Sequence, residues 1–229
     1  CANINGAQIG GRRNIIINGA MEVAQRATSS TTTGYGSVDR FRTFFSGTDE
    51  SPTQSQVDVS SGTTPYTNGF RKALKVTNGN QTGGADASDY IAIQTRIEAQ
   101  DMATCGWNYT STSSFVTLQF WVKSSVAQNF YGYLRTKDGT GQLYPFETGS
   151  LTADTWTKIE KTIPGNSNIQ FDNNEDQGFQ FFISPFWGTN YTSSDVNLNA
   201  WTDYATGTRT PDYTSTWYTT NDATFEITG

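Results

Sequence analysis

The feature that most constrains this chain is its punctuation. Short runs of alternating apolar and polar residues are each closed by Gly, Asn, Asp, Ser or Thr, which reads as strands separated by turns. Such runs occupy 14–19, 38–46, 54–60, 71–77 and 90–98. They continue at 115–124, 129–136, 143–147, 156–163, 179–184 and 223–228. No stretch carries a sustained 3.6-residue period, and the spacing allows one helical turn over 98–104. About ten antiparallel strands cut this way predict an all-β chain folded as a jelly-roll β-sandwich.

Composition fits that class. The 36 Thr suit solvated strands and the turns between them. Aromatic residues, at 14%, supply more apolar area than a disordered tract carries. The 229 residues suffice for one large sandwich, which we place at 14–229. Residues 1–13, polar and Gly-rich, read as a linker or the end of a preceding module. No repeat of fixed period occurs. With Cys1 in first position and Gly229 directly after a strand-like run, the sequence reads as cut from a longer polypeptide.

Charge and missing residue types narrow the functions. A net charge of -6, a pI near 4.6 and no run of basic residues argue against nucleic acid and anionic membranes as partners. No stretch approaches the length of apolar residues that spans a bilayer. The absence of His removes Ser-His-Asp and Cys-His nucleophilic pairs and the commonest zinc ligand. A hydrolase would need paired carboxylates. Asp172, Glu175 and Asp176 lie together in DNNEDQG, which reads as a solvated acidic turn, so no enzyme is expected. Cys1 and Cys105 read as two free thiols, with a bridge between them as the alternative. No cofactor and no metal are expected.

Strand alternation supplies a candidate binding face. In 115–123, Val116, Leu118, Phe120 and Val122 point one way, and Thr117, Gln119, Trp121 and Lys123 the other. In 129–136, Phe130, Gly132 and Leu134 oppose Tyr131, Tyr133 and Arg135. The apolar sets belong to the core, which leaves Gln119, Trp121, Tyr131, Tyr133 and Arg135 on an exposed sheet face. An aromatic ring stacks on the C–H face of a sugar while amides and guanidinium bond its hydroxyls. The same face also suits a covering loop, another subunit or ordinary exposure. Trp187, Tyr191 and Tyr213 are further candidates in loops, and Trp156 and Trp201 read as core anchors.

Beyond these patterns, RRNIIINGAMEVAQRATS (12–29) followed by GYGSVDRFR (34–42) resembles the opening of a domain recurrent in bacteriophage tail-fibre and related virion proteins. Ala27 stands where that pattern has Gly, and Phe41 where it has Trp. The similarity continues through KALKVTN (72–78), YIAIQTRIEAQDM (90–102), VTLQFWVKSS (116–125) and TADTWTKIEKTIPG (152–165). It ends with GTNYTSSDVNLNAW (188–201) and NDATFEITG (221–229). The resemblance implies a jelly-roll sandwich similar to galactose-binding-like carbohydrate-binding modules, displayed on a homotrimeric fibre outside the cell. It implies a bacterial surface glycan and other virion proteins as partners, with a head-fibre or capsid-decoration role as the alternative. In such modules a structural calcium sits near the first and last strands, where Glu22 and Glu226 are the nearest carboxylates here, without a DxDxD-type loop. The resemblance makes Asn18-Gly19 a turn, and Asp39 a tie between strand and loop.

Overall fold

The computed structural model describes residues 14–229, together with a backbone pairing of β1 (Asn3–Ile4) and β2 (Ala7–Gln8). The linker at 1–13 otherwise lies outside the described residues, as does Cys1. Two six-stranded antiparallel sheets face each other. The first runs in the order β13 (Thr202–Asp203), β10 (Gln142–Ser150), β9 (Asn129–Thr136), β12 (Gln177–Trp187), β7 (Tyr90–Glu98), β4 (Phe41–Ser46). The second runs β11 (Thr157–Pro164), β8 (Phe115–Ser124), β14 (Thr224–Thr228), β6 (Lys72–Thr77), β5 (Thr53–Asp58), β3 (Ser29–Ser30). Hairpins join β5 to β6 and β9 to β10, while most other connections cross between the sheets, giving the jelly-roll sandwich. Among the described residues helix is confined to single turns, α1 (Thr64–Thr67), α2 (Ala99–Ala103) and α3 (Thr216–Thr219), and a 3₁₀ turn at Thr206–Thr208. No helix among the described residues is long and apolar enough to cross a membrane.

The core between the sheets follows the period-2 alternation. Phe120 and Val122 of β8 and Phe225 and Ile227 of β14 meet Phe130 and Leu134 of β9 and Phe181 and Ile183 of β12. Gly132 shares the inward row of β9, and a Cβ there would overlap the Phe146 ring and the Phe182 carbonyl. That close approach is why the row carries a glycine. Trp217, fully buried, closes one side of the core and donates its indole N–H to Thr224 O (3.0 Å).

Three local readings change. The run at 14–19 is a turn, not a strand: Asn18 and Met21 both take φ 59°, and Ile17 stays 48% exposed. Asn18 holds the turn through its side chain, donating to Val23 O (3.0 Å) and Asp39 O (2.8 Å) and accepting from Val23 N (3.0 Å). Asp39 accepts from Gln25 N at 3.3 Å and faces Arg26 at 3.9 Å, so it does tie this loop to the following strand. That strand starts at Phe41 because Arg40, at φ 71°, breaks the extended backbone. Trp201 packs against the core and donates to Pro164 O (2.7 Å), whereas Trp156 lies outside the core, with Lys123 over its ring at 5.1 Å.

Candidate functional site

The outward-facing sets of β8 and β9 do not share a surface. β8 belongs to the second sheet and β9 to the first, so the short 125–128 connection crosses the sandwich. Gln119 and Trp121 therefore face away from Tyr131, Tyr133 and Arg135. Trp121 does point out of the core, as its alternation predicts, but it is 8% exposed, with Gly229 wedged between it and Phe70. Gln119 lines a concavity of about 720 Å³ bordered by the 14–21 segment, the first half of β8 and the end of β14. Ile15, Ile16, Trp107, Phe115 and Leu118 share its wall, and no charged side chain does.

The outer face of the first sheet is built differently. Cross-strand pairing sets out two adjacent rows. One runs Leu143, Arg135, Gln180, Arg96 across β10, β9, β12 and β7. The other runs Pro145, Tyr133, Phe182, Gln94, Arg42 from β10 to β4. With strands about 4.8 Å apart, Arg135 and Arg96 flank Gln180 across roughly 10 Å. A register shift between Ile183 and Phe186, at Ser184-Pro185, changes the alternation of β12. Phe186 then points into the core, and Trp187 joins Ala92, Tyr133, Leu143 and Phe182 in a second apolar cluster on the outer face.

The 188–213 loop covers part of this face. Tyr204 N donates to Gly141 O (2.8 Å), Arg209 N to Tyr191 O (3.0 Å), and Tyr213 Oη to Tyr131 O (2.8 Å). Tyr133, read from sequence as exposed, is 1% exposed as a result, stacked on Phe182 at 4.3 Å between ring centres. Burial pushes its phenol pKa up, against the pull of Arg209 and Arg135. Tyr131 is half-buried, edge-on to Tyr213 at 5.1 Å. Of the seven sequence candidates, Tyr133, Arg135, Trp187 and Tyr191 gather here with Tyr131 beside them, and Gln119 and Trp121 do not.

Between the loop and β4 a smaller cleft, about 190 Å³, stays open. Arg42, Arg96, Arg135 and Arg209 line it with Phe44, Tyr204, Gln94 and Gln180. Aromatic rings and an amide pin each guanidinium. Arg135 lies over Tyr204 at 3.4 Å, Arg42 over Phe44 at 4.8 Å, and Arg209 over Trp187 at 4.7 Å. Arg96 Nε donates to Gln94 Oε1 (3.1 Å). Among the described residues none of the four forms an ion pair. The Arg42 pKa is lowered by burial and by Arg96 beside it. Buried polar atoms without a protein partner cluster here too: Arg42 Nε, Arg135 Nε, Gln180 Oε1 and Trp187 Nε1. The sequence lacks a basic run because these arginines come from four separate segments, and the fold assembles them. Arg42, Gln94, Arg96, Gln180 and Arg209 were missed, although the alternation in 90–98 already places Gln94 and Arg96 on one face.

No protein-family model and no curated protein sequence matches the chain. The N-terminal cellulose-binding domain of Cellulomonas fimi β-1,4-glucanase C aligns at 10% identity and TM-score 0.41, over 90% of this chain and 93% of that one. A family 11 carbohydrate-binding module from a Clostridium thermocellum cellulosomal cellulase aligns at 12% identity and TM-score 0.36, over 87% and 90%. The enzymatically active domain of a tailspike protein of bacteriophage CBA120 aligns at 9% identity and TM-score 0.42, over 76% of this chain. The chain spans 20% of the length of that solved domain.

The other sequence candidates stand apart. Asp172, Glu175 and Asp176 lie exposed in the turn before β12, where Asp172 accepts from Gln170 Nε2 (2.6 Å). Glu226 is engaged by Lys123 at 3.1 Å and Glu22 is exposed. No three carboxylate or cysteine side chains converge among the described residues. The Cys105 thiol donates to Met102 O (3.1 Å).

Proposed function

We propose that the chain is a glycan-binding domain whose site is the cleft on the outer face of the first sheet, used by a phage tail fibre to attach to a bacterial surface polysaccharide. One observation carries the reading. Recessed amides (Gln94, Gln180), pinned guanidiniums and half-buried aromatics (Phe44, Tyr204) converge in one open cleft on a rigid sheet. Such a set offers donors and acceptors to hydroxyls and flat apolar surface to a sugar ring. A domain that binds without turnover needs no acid–base pair, and the reading includes no hydrolase activity. The test is an array of bacterial surface polysaccharides probed with the protein and with Arg135→Ala. Each charge-assisted hydrogen bond lost should weaken binding about tenfold or more. An array with no bound glycan, or full binding by the variant, contradicts the proposal.

A second reading, display and assembly in a head fibre or capsid decoration, draws on the exposed apolar side chains of the molecule. Phe115, in the wall of the larger concavity, is 56% exposed, and Ile17 and Val23 are 48% and 42% exposed. Exposed apolar groups of this kind favour contact with another chain. The homotrimer belongs to both readings. Light scattering at micromolar concentration should give a mass of three chains, reduced by Phe115→Asp. A monomeric parent protein counts against trimerisation by this chain.

A further inference from the structure

We infer that the saccharide bound in the first-sheet cleft is anionic, carrying a carboxylate or another acidic substituent beside free hydroxyls. The inference rests on the glycan-binding reading above and adds the charge of the ligand to it.

The argument begins with an imbalance. The chain carries a net charge of -6, with 15 Lys and Arg against 21 Asp and Glu. Yet one concavity of about 190 Å³ collects four of its arginines. Among the described residues no carboxylate forms an ion pair with them. Ion pairs between described residues involve Arg26, Lys72, Lys123 and Lys158, all elsewhere. No carboxylate of the described residues lines the cleft: Glu98 and Asp203, at the ends of β7 and β13, lie outside its wall and accept from Gln100 Nε2 (2.7 Å) and Gln142 Nε2 (2.8 Å). Lys137 adds to the same field: its pKa is lowered first by burial and then by Arg135 and Arg96.

Gathering like charges without counter-charge costs stability, and a ligand that supplies the counter-charge recovers it. Guanidiniums suit this role because their planar fork bonds a carboxylate through parallel N–H donors. The stacking of Arg135 on Tyr204 and of Arg209 on Trp187 fixes the planes; Arg209 Nε donates to Tyr204 Oη (3.2 Å), while Arg135 Nε has no partner in the protein.

Gln180 narrows the ligand further. It is 5% exposed, lies between Arg135 and Arg96, and its Oε1 has no partner. A carboxylate only accepts hydrogen bonds, so it cannot satisfy that oxygen. A neighbouring hydroxyl can, and an acidic sugar presents both groups a few ångströms apart. Nucleic acid is disfavoured by shape. Its charge is spread along a backbone and calls for a basic track, whereas these arginines ring a confined concavity.

Affinity electrophoresis tests the inference, with polygalacturonate as the acidic probe and dextran as the neutral one. Polygalacturonate should retard the protein at low salt, and dextran should not. The retardation should fall at least tenfold at 0.5 M NaCl, where the Debye length shrinks to a few ångströms. Arg96 is exposed, so Arg96→Glu should fold normally and lose at least tenfold in affinity. Lys161→Glu, on the second sheet, should bind as the parent does. Equal weakening by both variants would show unspecific charge attraction and overturn the inference. Dextran binding that is lost in Arg135→Ala would overturn the anionic preference while keeping the glycan site. Binding to neither polymer, repeated on an array of acidic and neutral bacterial glycans, removes the glycan-binding reading itself. A single-stranded oligonucleotide binding more tightly than every acidic glycan would replace saccharide by nucleic acid.

Discussion

Trp121→Ala separates the two outer faces. Trp121 points away from the core but is 8% exposed, with Gly229 and Phe70 against it. An aromatic side chain buries roughly 150–250 Å², worth about 4–6 kcal/mol at 25 cal/mol per Å². That figure is an upper bound, because the unfolded chain already hides part of the ring. Trp121 also lies outside the main core cluster, so water can fill the space it leaves. A loss of about 3 kcal/mol, at the low end for a truncated Trp, follows. In a domain of this size that lowers Tm by roughly 6–12 °C. Calorimetry gives the Tm, and glycan binding measured well below it should match the parent protein. An unchanged Tm with lost binding would move the site to the second sheet and refute the reasoning.

Three further outcomes follow from the structure. Burial raises the phenol pKa values of Tyr133, Tyr213 and Tyr218 above the ordinary 10.0. Their neutral forms are favoured in the folded state, so that contribution is complete below about pH 10 and is lost as pH rises through the folded values. Tm should fall steeply above that pH, and absorbance titration should find late-ionising tyrosines; simultaneous ionisation of all eleven Tyr at an ordinary pKa would contradict it. Gly132→Ala forces a Cβ against the Phe182 carbonyl, and should cost about 1–3 kcal/mol by overpacking, seen in a denaturant melt. The protein should release no reducing ends from acidic polysaccharide; turnover abolished by changing Asp172, Glu175 and Asp176 to Ala would assign chemistry to that turn.

Much of the fold is legible because period-2 alternation is a local signal. The sequence runs at 90–98, 115–124 and 129–136 coincide with β7, β8 and β9. The inward and outward sets of β8 and β9 were also legible. Which sheet each strand joins was not. Nothing in Ser125-Val126-Ala127-Gln128 declares a crossing rather than a hairpin, although the lack of Gly or Asn argues against a tight two-residue turn. That single ambiguity joined Trp121 to Tyr133 on one imagined face. Burial of Tyr133 was equally hidden, since it depends on the 188–213 loop folding back through Tyr213 and Tyr204. The arginine cluster is a tertiary property: Arg42, Arg96, Arg135 and Arg209 are dozens of residues apart and meet only through strand order.

The most direct measurement is a nitrogen-15 NMR titration of the indole and guanidinium N–H groups with an acidic oligosaccharide. The six tryptophans act as separate reporters, since Trp187 borders the first-sheet cleft, Trp107 the larger concavity, and Trp121 the opposite sheet. Binding in the cleft predicts shifts at Trp187 Nε1 and at Arg42, Arg96, Arg135 and Arg209 Nε, with Trp121 and Trp107 unmoved. Shifts at Trp107 or Trp121 with Trp187 and the arginines silent would contradict it.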